Sequence, residues 1–133
     1  MKIDQIESVG SSYAAKLRDA DVRTTERLLK VAGTRKGRQA LAKHTAISEK
    51  RILGWVNRAD LMRLRDIGEE YGDLLEQAGV DSVRELRTRR VENLYQKLFE
   101  INIEKALVRR TPSTHQVRRW VTEAKSTKPK VTH

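Results

Sequence analysis

The chain has 133 residues, no cysteine, 28 Lys and Arg against 18 Asp and Glu, a net charge of +10 and a pI near 10.2. Disulfides, thiolate metal sites and thiol chemistry are excluded, and no apolar run approaches the roughly 18 residues a membrane span needs. A field of this sign attracts polyanions, nucleic acid first.

Apolar residues recur at helical spacing and sustained alternation is absent, so the chain reads as all-α, with roughly eight to ten short helices. Met1-Lys2-Ile3-Asp4 is followed by no signal-peptide h-region, which leads to a cytoplasmic expectation. Ile6 to Leu17 then reads as a short helix, a turn at Gly10 and a second helix. Gly33 after Val31-Ala32 predicts a left-handed helix end. Ser48 caps a helix whose apolar stripe is Ile52, Trp55, Val56 and Ala59. Without Gly or Pro between Trp55 and Arg65, that helix is expected to run on to Arg65. Ile67 to Leu75 reads as a second hairpin, closed by a left-handed Gly79, and Ser82 caps the next helix. Leu94, Leu98 and Ile101 mark another. The last helix carries Val117, Trp120, Val121 and Ala124; it starts either at Thr111 with Pro112 following or at Ser113 with Gln116. From Ser126 onward periodicity ends, and a disordered basic tail is expected.

The chain is also written twice. Ile6, Val9, Gly10, Tyr13, Leu17, Ala20, Val22 and Leu28 return 58 residues later as Leu64, Ile67, Gly68, Tyr71, Leu75, Ala78, Val80 and Leu86. Ser48, Ile52, Trp55, Val56 and Ala59 return 65 residues later as Ser113, Val117, Trp120, Val121 and Ala124. Two copies of one helical unit predict two lobes, 1–62 and 63–125, with pseudo-twofold symmetry and the tail at 126–133.

A glycine turn that opens a helix points backbone N–H groups outward at the positive end of its dipole, an anion site by geometry. Val9-Gly10-Ser11-Ser12 has this form. It resembles the helix-hairpin-helix motif of DNA repair and recombination proteins, whose hairpin runs apolar-x-Gly-apolar-Gly with a small residue in the second helix. Gly10 and Gly68 match the second Gly, and Ala14 and Gly72 the small residue. Ser8 and Asp66 replace the first Gly. Ser11-Ser12 follows Gly10, whereas Glu69-Glu70 follows Gly68, where two carboxylates would repel a phosphodiester. Across almost residues 1 to 125 the chain looks like an uncharacterised bacterial family, a domain of unknown function built from duplicated helix-hairpin-helix (SAM-like) units and often compared to the helix-turn-helix piece of flap endonucleases. That resemblance implies DNA binding.

The charge is uneven. Residues 1–59 and 105–133 are each net +7, and residues 60–104 net −4. The expected phosphate contacts are Gly10, Ser11, Ser12 and Lys16, with Arg35, Lys36 and Arg38, the second-copy Gly68, and Arg109, Arg110, Arg118 and Arg119. Tyr13, Tyr71, Trp55 and Trp120 recur with the repeat and read as core, which disfavours stacking on single strands. Asp66, Glu69, Glu70 and Asp73 form an acidic face rather than a metal site, and His44, His115 and His133 lack ligand spacing. No nucleophile motif or nucleotide loop is present. The expectation is a non-enzymatic, cofactor-free protein that grips duplex or branched DNA without sequence preference and is associated with the nucleoid. The alternative is a protein-interaction module docking through the acidic middle; a metal-dependent nuclease is the third reading.

Overall fold

The computed structural model describes all of residues 1–133 and is all-helical. Two 3-10 turns, Ile3–Gln5 and Glu7–Val9, precede eight α-helices: α1 (Gly10–Asp19), α2 (Thr25–Ala32), α3 (Arg35–Thr45), α4 (Glu49–Leu61), α5 (Glu69–Gln77), α6 (Val83–Leu86), α7 (Val91–Lys105) and α8 (Thr114–Ser126). The chain divides into two compact units. The first comprises Met1–Asp60 with Lys130–His133, the second Leu61–Pro129.

Caps fall where short polar side chains precede apolar stripes. The Thr24, Thr34, Ser82 and Ser113 hydroxyls accept the N–H of the residue three places on, at 3.0, 3.1, 3.3 and 3.1 Å. Ser48 does the same for Arg51 at 3.2 Å. Of the two starts open for α8, Ser113 is the one used. α4 stops at Leu61 rather than continuing to Arg65, because the chain turns there, with the Leu64 N–H donating to the Leu61 carbonyl at 3.1 Å.

In the first unit, the 3-10 turns bury Ile3, Ile6 and Val9 beside α1, and α2 packs on α3. A short antiparallel bridge pairs Lys2 with Thr24. The Met1 ammonium holds the Glu26 carboxylate at 2.7 Å, and that hydrogen bond sets the Glu26 pKa below the ordinary carboxylate value. In the second unit, α5 and α8 pack on α7, and α6 packs on α8. Leu74, Leu75, Val80, Leu86, Leu98, Val117 and Trp120 form its centre.

Repeated residues make repeated contacts within each unit. The Val22 N–H bonds the Leu17 carbonyl at 2.8 Å, as Val80 does Leu75 at 2.9 Å. Tyr13 meets Trp55 edge-on at 5.3 Å and 61°, and Tyr71 meets Trp120 at 5.2 Å and 60°. All four aromatics therefore serve packing, as expected from their recurrence.

Helix ends show one departure and one agreement. Gly79 is left-handed, φ 87°, and its counterpart Asp21 adopts φ 63°. Gly33 instead stays right-handed at φ −66°. It is small for another reason: a Cβ there would collide with the carbonyls of Lys130 and Leu29. The tail expected to be disordered supplies that neighbour. Val131 is buried, and the Thr132 N–H donates to the Gly33 carbonyl at 2.9 Å.

Ala46 and Ala106 end α3 and α7 in left-handed conformations, φ 60° and 50°. An alanine there carries a Cβ clash that glycine lacks. Ala46→Gly and Ala106→Gly are each expected to raise the unfolding free energy by up to about 1 kcal/mol, read from urea denaturation midpoints at unchanged slope.

Candidate phosphate-contact sites

The turn at the start of α1 has the positive-φ glycine, followed at once by a helix, that its sequence suggests. Val9 is buried, Gly10 sits at φ 66° and ψ 171°, and α1 starts at once. That backbone region is essentially reserved for glycine. No side chain caps α1, and its first turn holds no acid. Ser11, Ser12 and Lys16 are all exposed. The first-turn N–H groups of α1, which lack helical acceptors, therefore open to solvent at the positive end of the dipole. Two cations gather beside them on Tyr13. The Arg51 guanidinium lies 4.9 Å from the ring centroid and the Lys16 ammonium 6.0 Å. Arg51 escaped sequence reading, because nothing in its spacing reveals that α4 brings it over α1's tyrosine.

The second hairpin differs in backbone as well as charge. Gly68 has φ −107°, an ordinary extended conformation, and the positive φ has moved to Asp66 at 67°. Glu69 and Glu70 fill the first turn of α5. Gly68 is thus not a left-handed pivot like Gly10, and two carboxylates occupy the end where a phosphate would sit.

Arg35 and Lys36 are exposed in the first turn of α3, where no acid offsets them. Cations at a helix N-terminus oppose its dipole, so this end is electrostatically unsatisfied. Arg38, expected as their partner, is a correction. It is 3% exposed; its Nη1 donates to the carbonyls of Ala32 (3.1 Å) and Gly33 (2.9 Å), and its Nη2 to that of Thr132 (2.5 Å). Desolvation, then the nearby Arg35 charge, lowers its pKa from the ordinary arginine value, against a smaller opposing pull from Glu49. Arg38 therefore ties residues 130–132 to the end of α2 and is not a surface cation. Sequence reading missed this because the acceptors are main-chain carbonyls, one of them 94 positions away.

In the second unit Arg109 and Arg110 are exposed on the loop before α8, and the Arg110 carbonyl accepts from the Tyr71 hydroxyl at 3.3 Å. Arg118 and Arg119 are exposed on α8, with Arg119 paired to Asp66. Arg118 and Arg119 border a groove of about 390 Å³ that is also lined by Arg65, His115, Thr122 and Glu123. No group of three or more His, Asp or Glu side chains converges as a metal site. No helix is long and apolar enough to cross a membrane.

These features define an all-helical domain with exposed cationic helix ends. Residues 7–127 match the family model described as "Domain of unknown function (DUF4332)", and the chain belongs to that family. No curated protein and no solved structure matched the chain.

The two hairpin glycines should respond differently to substitution. Gly10→Ala forces a Cβ into a region that costs about 1–3 kcal/mol, whereas Gly68→Ala, with nothing within 4 Å of the added Cβ, should change stability by less than about 1 kcal/mol. Thermal melts of both variants check this. Arg38→Ala removes the guanidinium from the carbonyls of Ala32, Gly33 and Thr132, of which that of Gly33 keeps the Thr132 N–H, and is expected to cost about 2–3 kcal/mol. Hydrogen exchange should then rise at the Thr132 amide.

Proposed function

We propose that the two units are tandem helix-hairpin-helix units and that the protein binds DNA through its phosphate backbone, without sequence preference. The observation that carries this reading is the start of α1. A glycine-only turn leads into a helix with no side-chain cap and no acid, while Lys16 and Arg51 stand over Tyr13 beside it. Amides of Ser11 and Ser12 would hold one phosphate, with Lys16 and Arg51 neutralising the charge around it. Contacts of this kind position a duplex and carry no base information. Arg35 and Lys36 would take a neighbouring phosphate at the start of α3, and Arg109 and Arg110 would widen the footprint. Arg38 belongs to the scaffold and not to this surface.

No aromatic side chain of the hairpins is free to stack on bases, since Tyr13 and Tyr71 each pack on a tryptophan. This favours duplex or branched DNA over single strands. No catalytic constellation supports a reaction, and the reading is of a non-enzymatic protein associated with the nucleoid.

A second reading, docking to a protein, draws support from α7. Its Phe99 is 39% and its Ile103 71% exposed, one turn apart at the edge of the acidic segment. Large apolar side chains grouped on one exposed helix face are a mark of interaction surfaces.

Fluorescence anisotropy with labelled duplex, branched and single-stranded DNA across a salt series tests the first reading. Duplex binding should fall steeply with salt, and Lys16→Glu/Arg51→Glu should flatten the log–log slope by about 1 for each phosphate that is no longer neutralised. Lys36→Glu should weaken binding of all sequences alike. Absence of binding at low salt by a folded protein would overturn the reading. Loss of a co-purifying partner in Phe99→Ser/Ile103→Ser, with DNA binding unchanged, would favour the second.

A further inference from the structure

The groove on α8 is the feature of the second unit that its fold does not explain. His115, Arg118, Arg119 and Thr122 stand at i, i+3, i+4 and i+7 and so form one polar face, opposite the buried stripe of Val117, Trp120, Val121 and Ala124. Arg65, from the turn after α4, completes the lining with Glu123. Three guanidiniums thus meet one carboxylate, and the carboxylate is engaged: both Glu123 oxygens accept from the Arg65 backbone N–H at 3.2 Å. Arg119 is held by Asp66. Arg118, His115 and the Arg65 guanidinium make no hydrogen bond or ion pair within the protein, so their donors remain available in the groove. Like charges gathered this way repel unless an anion enters.

The repeat shows that the architecture common to the two units does not call for these residues. Counting back 65 positions, His115, Arg118, Arg119 and Thr122 correspond to Lys50, Leu53, Gly54 and Asn57; counting back 58, Arg65 corresponds to Glu7. The first unit builds the same Tyr–Trp contact with no arginine at any of those positions. Conversely, the second unit lacks the features that make the first hairpin an anion site, since Glu69 and Glu70 stand at the start of α5 and Gly68 is not left-handed. The two copies have diverged in opposite senses.

We infer that the groove bounded by Arg65, His115, Arg118 and Thr122 is a phosphate-binding site in which side chains do what main-chain amides do in the first unit. A guanidinium's planar fork of N–H donors matches two oxygens of a tetrahedral phosphate, and a volume of about 390 Å³ admits a phosphate ester. The phosphate is either a diester of the nucleic-acid backbone or a free phosphate ester. The first source rests on the proposed DNA binding; the anion chemistry of the groove does not.

Heteronuclear NMR of the full chain separates these sources. Inorganic pyrophosphate and a short DNA duplex are titrated separately, each against sodium chloride at matched ionic strength, into the wild type, Arg118→Gln and Lys16→Gln. Pyrophosphate is expected to shift the His115, Arg118 and Thr122 resonances saturably. Arg118→Gln should weaken that binding about tenfold, and Lys16→Gln should leave it unchanged. Groove shifts with both probes assign the site to the nucleic-acid backbone. Groove shifts with pyrophosphate alone assign it to a free phosphate ester; the DNA reading fails as well only if the duplex also leaves the Ser11, Ser12 and Lys16 resonances unmoved, and the site stands in either case. The absence of groove shifts with either probe, or shifts that persist unchanged in Arg118→Gln, would overturn the inference.

Discussion

A tyrosine ring set edge-on against a tryptophan is the contact on which each unit depends. The tyrosine sits one turn into the helix after the hairpin, and the tryptophan lies at the middle of the long helix that closes the unit. Edge-to-face pairing at about 5 Å fixes both the distance and the rotation between those helices. The hairpin is attached directly to this joint, so its amides are aimed by the aromatic pair and not by the loop alone. In the second unit the tryptophan is also among the largest fully buried side chains.

The same joint carries different rims. Over Tyr13 lies Arg51, which converts the outer face of the aromatic pair into a cationic shelf. The corresponding position in the second copy is Gln116, and there the Tyr71 hydroxyl donates to a main-chain carbonyl instead. Keeping the inner contact while changing its rim lets two copies share an architecture and present different surfaces. The acidic start of α5 has a structural reading: carboxylates are favourable at a helix N-terminus.

Much of this was legible in the sequence, and for identifiable reasons. Helix periodicity, serine and threonine caps, the pivot at Gly10 and the left-handed Gly79 follow from local backbone chemistry, which acts over three or four residues. The repeat exposed Tyr13, Trp55, Tyr71 and Trp120 as core before any contact was known. What stayed hidden was long-range. Arg38 looked like a surface cation beside Arg35 and Lys36, because nothing local announces that its acceptors include Thr132. Gly33 looked like a helix stop, when its missing side chain makes room for the Lys130 carbonyl. Residues 126–133 looked structureless because a short segment that docks by its main chain, one valine and the His133 ring, which bonds the Asn57 side chain, has no periodicity to display. Arg51 and Arg65 were passed over for the same reason, since their sites are assembled by helix packing.

The docking of Lys130–His133 also orders events in time. The first unit draws on both sides of the second in sequence, with Met1–Asp60 before it and Lys130–His133 after it. During synthesis the second unit has all of its residues before the first has its final piece. Until Val131 and Thr132 emerge, the Arg38 guanidinium lacks one of its three acceptors, and the surface at Gly33 lies open. The unit begun first is therefore completed after the other, through a contact that spans nearly a hundred residues.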